Sequence, residues 1–178
     1  NGGVPVANAS QGTGHSRDPY IMKAQDGAEY KYYMVATDAN TTNNYNNTGL
    51  HTWGSNDLIH WDELANPQFA TNKGGGSKTI TNMCWAPEAI WDPVAEKYMV
   101  YFSSNEADSA ANESSKIWYS YTSDFKNFDE KQLLFDPGYG VIDADITPYG
   151  NGYVMMYKKE ASSGTAAKKV WYTFKTGK

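Results

Sequence analysis

Arg17-Asp18-Pro19-Tyr20-Ile21 leads through a glycine-containing turn into Tyr30-Lys31-Tyr32-Tyr33-Met34-Val35-Ala36-Thr37. This unit decides the fold because it recurs. Trp85-Ala86-Pro87-Glu88-Ala89-Ile90 passes Asp92-Pro93 and enters Lys97-Tyr98-Met99-Val100-Tyr101-Phe102-Ser103. Ile142-Asp143-Ala144-Asp145-Ile146 passes Tyr149-Gly150-Asn151-Gly152 and enters Tyr153-Val154-Met155-Met156-Tyr157. Each copy is a short strand, a tight turn and a longer strand rich in aromatic, β-branched or Met residues, which is the pattern of a β-hairpin.

The second half of the unit repeats as well. Thr52-Trp53-Gly54-Ser55-Asn56-Asp57-Leu58-Ile59-His60-Trp61 matches Tyr119-Ser120-Tyr121-Thr122-Ser123-Asp124-Phe125-Lys126-Asn127-Phe128. Both read as a strand, a turn held by hydroxyl and carboxylate side chains, and an aromatic that packs back under the turn. Val170-Trp171-Tyr172-Thr173-Phe174 begins the same half a third time.

The intervals are 68 residues from Asp18 to Ala86 and 57 from Ala86 to Asp143. Four strands in roughly 60 residues make one propeller blade with generous loops. The expected fold is therefore all-β, a β-propeller with blades at about 14–68 and 83–136 and an incomplete third at about 139–178. Polar connections are expected at Asn1–Ser16, Asn40–Thr48, Thr71–Asn82 and Asn105–Ser115. An open propeller leaves an apolar face bare. A second chain or a further C-terminal segment is expected to complete it.

Bulk composition narrows the function. Aromatic residues make up 15% of the 178-residue chain, a density that suits β-structure and also the stacking of flat rings on sugars. Net charge is −5 with no basic cluster, which excludes a nucleic-acid partner. No apolar run reaches the ~18 residues of a membrane-spanning helix, so no membrane role is expected. The single cysteine, Cys84, allows no internal disulfide and reads as a small buried residue rather than a nucleophile. There is no Gly-x-Ser-x-Gly elbow of a serine hydrolase.

Gly14-His15-Ser16-Arg17-Asp18-Pro19-Tyr20-Ile21, Trp85-Ala86-Pro87-Glu88-Ala89-Ile90-Trp91-Asp92 and Val141-Ile142-Asp143-Ala144-Asp145-Ile146, in that order and at blade spacing, resemble glycoside hydrolase family 43. The Ser-Asn-Asp-Leu turn ending at Trp61 adds to the likeness, which runs from about Gly14 to the C-terminus. The resemblance implies a five-bladed propeller with its active site at one end of the central channel. It implies an inverting glycosidase acting on arabinose, xylose or galactose linkages, and the wording is nearest the arabinofuranosidase and galactofuranosidase-like branch. It places Asp18 as general base on the first inner strand. It places Asp143 as the carboxylate that tunes and orients the acid on the third. Glu88 lines the channel near the sugar, and Arg17, His15, Tyr20 and Trp85 are candidate substrate contacts. Lys158 and Glu160 follow the third long strand and are placed to reach substrate. The family's general acid, a glutamate in Glu-Gly-Pro, is absent from this sequence and is expected beyond Lys178.

The chemistry fits that set. Inversion needs one carboxyl group to protonate the leaving oxygen and another to deprotonate a water, about 6.5–9.5 Å apart. Arg17 or His15 near Asp18 would help keep the base ionised, and a like charge at Asp143 would raise the acid. Each residue has a plainer reading: Asp18 as a turn residue before proline, Asp143 as a strand cap, Glu88 as half of an ion pair, Trp85 as packing between blades. No cofactor is required by this chemistry. A structural metal ion in the channel occurs in some propellers of the family, and no His/Asp spacing identifies one here. A polysaccharide substrate implies a bacterial protein that is secreted, periplasmic or on the cell surface. The competing functions are a non-catalytic carbohydrate-binding propeller and an interaction scaffold.

Overall fold

In the computed structural model, the described residues are 2–42, 46–69, 83–105, 115–160 and 169–176. Among them every regular element is a strand. The first sheet contains β1 (Ser16–Lys23), β2 (Tyr32–Asn40), β3 (Asn46–Ser55) and β4 (Asp62–Ala65). The second contains β5 (Trp85–Asp92), β6 (Lys97–Ser104), β7 (Lys116–Thr122) and β8 (Gln132–Phe135). The third contains β9 (Val141–Tyr149), β10 (Gly152–Lys159) and β11 (Val170–Thr176). Within each sheet the strands are antiparallel neighbours in chain order. These are three successive blades of an unclosed β-propeller.

The hairpins form where the sequence places turn residues. Gly150 takes a φ of 59° in the two-residue loop that pairs Tyr149 with Gly152, a conformation glycine adopts without a Cβ penalty. The repeated turns are alike in detail. Ser55 Oγ accepts from the Leu58 N–H at 2.9 Å, and Asp57 Oδ1 from the N–H groups of Ile59 and His60 at 2.9 and 2.8 Å. Thr122 Oγ1 accepts from the Phe125 N–H at 2.9 Å, and Asp124 Oδ1 from those of Lys126 and Asn127 at 2.8 Å. One of the expected connections differs at its edge. β3 begins at Asn46, inside the stretch expected to be loop, because strand pairing with Asn40 outweighs the low β-propensity of its asparagines. Residues 71–82 and 106–114 lie outside the described residues.

The residues before β1 are pinned rather than loose. Ser10 and Gln11 donate backbone N–H groups to the Glu63 carboxylate at 3.0–3.1 Å, and Trp53 Nε1 donates to the Asn8 carbonyl at 3.0 Å. The Thr13 N–H donates to buried Asp38 at 3.0 Å, and the Nε2 of fully buried His51 lies 3.2 Å from the same carboxylate. Burial alone would raise the Asp38 pKa. The neighbouring His51 ring and hydrogen bonds from Thr13 and Asn66 outweigh it and hold the group below its usual value.

The core lies between sheets. Tyr33, Val35 and Leu50 of the first sheet pack on Ala89, Tyr98, Val100 and Phe102 of the second, with Cys84 and Phe125 between them. Tyr101 and Ile117 of the second pack on Val141, Ala144, Met155 and Tyr157 of the third. Burial pushes the Cys84 thiol up to about 12, so it is an inert core residue. Each interface uses alternate residues of the long strand, 33 and 35 on β2, then 99 and 101 on β6. The register continues as 154 and 156 on β10. That third outward face is bare: Met156, Tyr172 and Phe174 are exposed, as is Leu58 at the opposite end of the array.

Candidate active site

One local irregularity positions the candidate residues. On each inner strand the ladder slips by one residue at the same place. Arg17 pairs with Thr37 but Tyr20 with Val35; Trp85 with Ser103 but Glu88 with Tyr101; Ile142 with Lys158 but Asp145 with Met156. The extra residue makes a β-bulge, which bends the strand and re-aims a side chain. Asp18, Ala86 and Asp143 occupy the bulge with φ of 50°, 45° and 54°. Left-handed backbone is costly for residues with a Cβ and least so for Asp and Asn, so two of the three bulges suit their residue.

The bulge also takes a backbone N–H out of the ladder, and the preceding sheet supplies the acceptor. Ala86 N–H donates to Thr37 Oγ1 at 2.9 Å, and Asp143 N–H donates to Ser103 Oγ at 3.1 Å. Thr37 and Ser103 hold the same register position on β2 and β6. Each hydroxyl thereby ties one sheet to the inner strand of the next. Thr37 turns its own proton toward Asp18, donating to Oδ2 at 3.2 Å.

One step beyond the bulge the three inner strands carry Tyr20, Glu88 and Asp145. The Tyr101 hydroxyl, buried on β6, donates to Glu88 Oε2 at 2.9 Å and accepts from the Ile146 N–H at 3.0 Å, so it fastens β9 to β5. Burial pushes the Glu88 pKa up to about 7; Asp145 and Asp143 push in the same direction, and the Tyr101 hydrogen bond only partly offsets them. Asp143 keeps solvent access on one side. It is nonetheless raised, first by the atoms crowded around it and then by the Asp18 charge, against the opposing pull of Lys158. The Tyr20 hydroxyl is raised by burial and by Glu88 and Asp145. Asp18, Asp143, Glu88, Asp145 and Tyr20 thus feel one another electrostatically across three strands from three sheets.

The other expected contacts stand further off. Arg17 and His15 are exposed, and the His15 ring bonds the Thr13 carbonyl at 2.8 Å. Among the described residues neither forms an ion pair with Asp18, whose side-chain hydrogen bond comes from the Thr37 hydroxyl. Trp85 is half-buried at the start of β5. Glu160 donates its N–H to Gly140 at 2.8 Å, and its Oε2 is shut off from solvent without a hydrogen-bond partner among the described residues. No cluster of three or more His, Cys, Asp or Glu among the described residues is placed to hold a metal ion. Sequence reasoning missed Thr37, Ser103, Tyr101 and Asp145. Only Asp145 carried a signal, since aligning Trp85-Ala86-Pro87-Glu88 with Ile142-Asp143-Ala144-Asp145 sets it opposite Glu88.

Replacing Glu88 tests its environment. A carboxyl raised in the fold favours folding at low pH, and that contribution is lost as pH rises through about 7. Glu88→Gln is therefore expected to flatten the fall of thermal stability between pH 5 and pH 8. An unchanged slope in a melting series would contradict the assignment.

A family described as a probable glycosyl hydrolase domain matches residues 1–175. An α-L-arabinofuranosidase of Bifidobacterium longum subsp. longum is 31% identical over 189 aligned residues, covering 93% of this chain and 17% of that protein. A thermostable family-43 glycoside hydrolase superimposes with a TM-score of 0.57 at 23% identity, covering 81% of this chain and 41% of that one. An α-L-arabinofuranosidase from Fusarium graminearum, solved with an iminosugar inhibitor, superimposes with a TM-score of 0.66 at 14% identity, covering 94% of this chain and 47% of that one. The chain thus spans less than half the length of each relative. With three successive propeller sheets and their inner-strand motifs in place, the chain belongs to the glycoside hydrolase family 43 group.

Proposed function

We propose that this chain supplies the base and pKa-tuning half of an inverting glycosidase site for arabinose-, galactose- or xylose-containing saccharides. The observation that carries the reading is that Asp18 and Asp143 occupy the same bulge on two inner strands, close enough for one charge to act on the other. Asp18, held by the Thr37 hydroxyl, takes the proton from the water that attacks the anomeric carbon. Asp143, anionic, raises the pKa of the carboxylic acid that protonates the leaving oxygen. Glu88 and Tyr20 line the sugar's approach, the first as a carboxyl that both donates and accepts near neutral pH and the second as a ring wall. The Bifidobacterium relative favours an arabinofuranoside among the substrates.

A second reading is a propeller that binds sugar without cleaving it. It is supported by the half-buried Tyr20 ring beside Glu88 and Asp145, which suits stacking on a sugar. A panel of aryl arabinofuranosides, galactosides and xylosides separates the two. Release of the aryl group above the buffer rate is expected for at least one member. A folded sample that cleaves none, yet binds one of the parent sugars, would leave the second reading.

A further inference from the structure

The repeated register assigns a partner to Asp143. Thr37, Ser103 and Lys158 hold equivalent positions, each paired with the residue before the bulge of its own sheet. From that position in the first sheet the Thr37 hydroxyl reaches the bulge carboxylate of Asp18 at 3.2 Å. In the third sheet the bulge carboxylate is Asp143, and the side chain facing it from β10 is Lys158. An ammonium has no lone pair, so Lys158 cannot accept a backbone N–H as Thr37 and Ser103 do. What remains to it at this register is the carboxylate. Lys158 is half-buried and makes no contact ion pair among the described residues, while its charge acts on Asp143. Asp143 itself stays exposed.

We propose that Lys158 is a positioning residue for Asp143: its ammonium faces that carboxylate from β10 as the Thr37 hydroxyl faces Asp18 from β2, keeps it charged beside Asp18, and leaves it open toward the sugar. This rests on the glycosidase reading for its purpose, since Asp143 can raise the acid only while it is anionic. The other titratable groups around the corner are Asp18 and Tyr20 on β1, Glu88 on β5, Tyr101 on β6 and Asp145 on β9. None of these carboxyl and phenol groups can be cationic; Arg17, beside Asp18 on β1, is exposed, and Lys158 is the cation whose charge acts on Asp143 against that of Asp18.

The test is the titration of the Asp143 side-chain carboxyl, followed by carbon-13 NMR in variants checked for an unchanged fold. Lys158→Met should move the midpoint to higher pH, and Lys158→Arg should restore it. Asp18→Asn should move it to lower pH. Lys159→Met, which removes the neighbouring ammonium that lies 4.2 Å from the Tyr139 ring, should leave it in place. An Asp143 midpoint unmoved by Lys158→Met, or moved equally by Lys159→Met, would overturn the proposal. Failure of the glycosidase reading shows separately, as a wild-type chain that neither cleaves nor binds any sugar of the panel.

Discussion

Asp18→Asn is expected to lower glycoside hydrolysis by about 100- to 10,000-fold, the usual worth of a positioned general base, with little change in melting temperature. In the proposed reaction the substitution removes the proton acceptor and almost nothing else. The side-chain oxygen that accepts from Thr37 at 3.2 Å is retained in asparagine. The φ of 50° at this bulge is a conformation Asn tolerates as well as Asp. A β-branched residue here would confuse the two effects by straining the bulge. Turnover on an activated aryl glycoside measures the base step; a variant that keeps wild-type turnover would remove Asp18 from the chemistry.

Phe125→Ala is expected to destabilise the fold by about 3–5 kcal/mol. Its ring is fully buried between the first two sheets, stacked on Tyr33 with centroids 4.2 Å apart and tilted on Tyr98 at 5.0 Å. Its carbonyl accepts from Thr52 Oγ1 at 2.7 Å, so the turn is anchored across the interface by both side chain and backbone. Removing the ring leaves a cavity whose aromatic walls cannot collapse onto each other. The equivalent turn residue of the first sheet, Leu58, is 44% exposed, and Leu58→Ala should cost less than about 1 kcal/mol. Urea denaturation of the two variants side by side reads the contrast. The loss also reaches the site, because the same interface sets β1 against β5.

Local features were legible in the sequence. The Ser-Asn-Asp-Leu and Thr-Ser-Asp-Phe turns announced themselves, since their hydrogen bonds close within a few residues. The inner strands stood out through Asp-Pro-Tyr and Ala-Pro-Glu beside aromatic runs. Asp18, Glu88 and Asp143 entered as candidates through the family resemblance of those motifs and of Ile142-Asp143-Ala144-Asp145. What the sequence concealed was pairing between sheets. Thr37 and Ser103 look like ordinary strand hydroxyls until the bulge one sheet away exposes an amide for each. Tyr101 is one of many tyrosines, and only the fold shows that it joins Glu88 to β9. The Asp38–His51 pair under the N-terminal arm is equally non-local. The match between Lys158 and Thr37 is hidden by unequal hairpins, since 19 residues separate Asp18 from Thr37 and 15 separate Asp143 from Lys158.

The most direct test of a sugar site shared by the three inner strands is amide NMR mapping of the chain with the best-bound sugar of the panel. Concerted shifts at Asp18, Glu88 and Asp143, weakened in Asp18→Asn, are the expected result. Shifts confined to the groove between the second and third sheets, lined by Trp91, Tyr119, Tyr121 and Phe174, with Asp18, Glu88 and Asp143 unmoved, would contradict it.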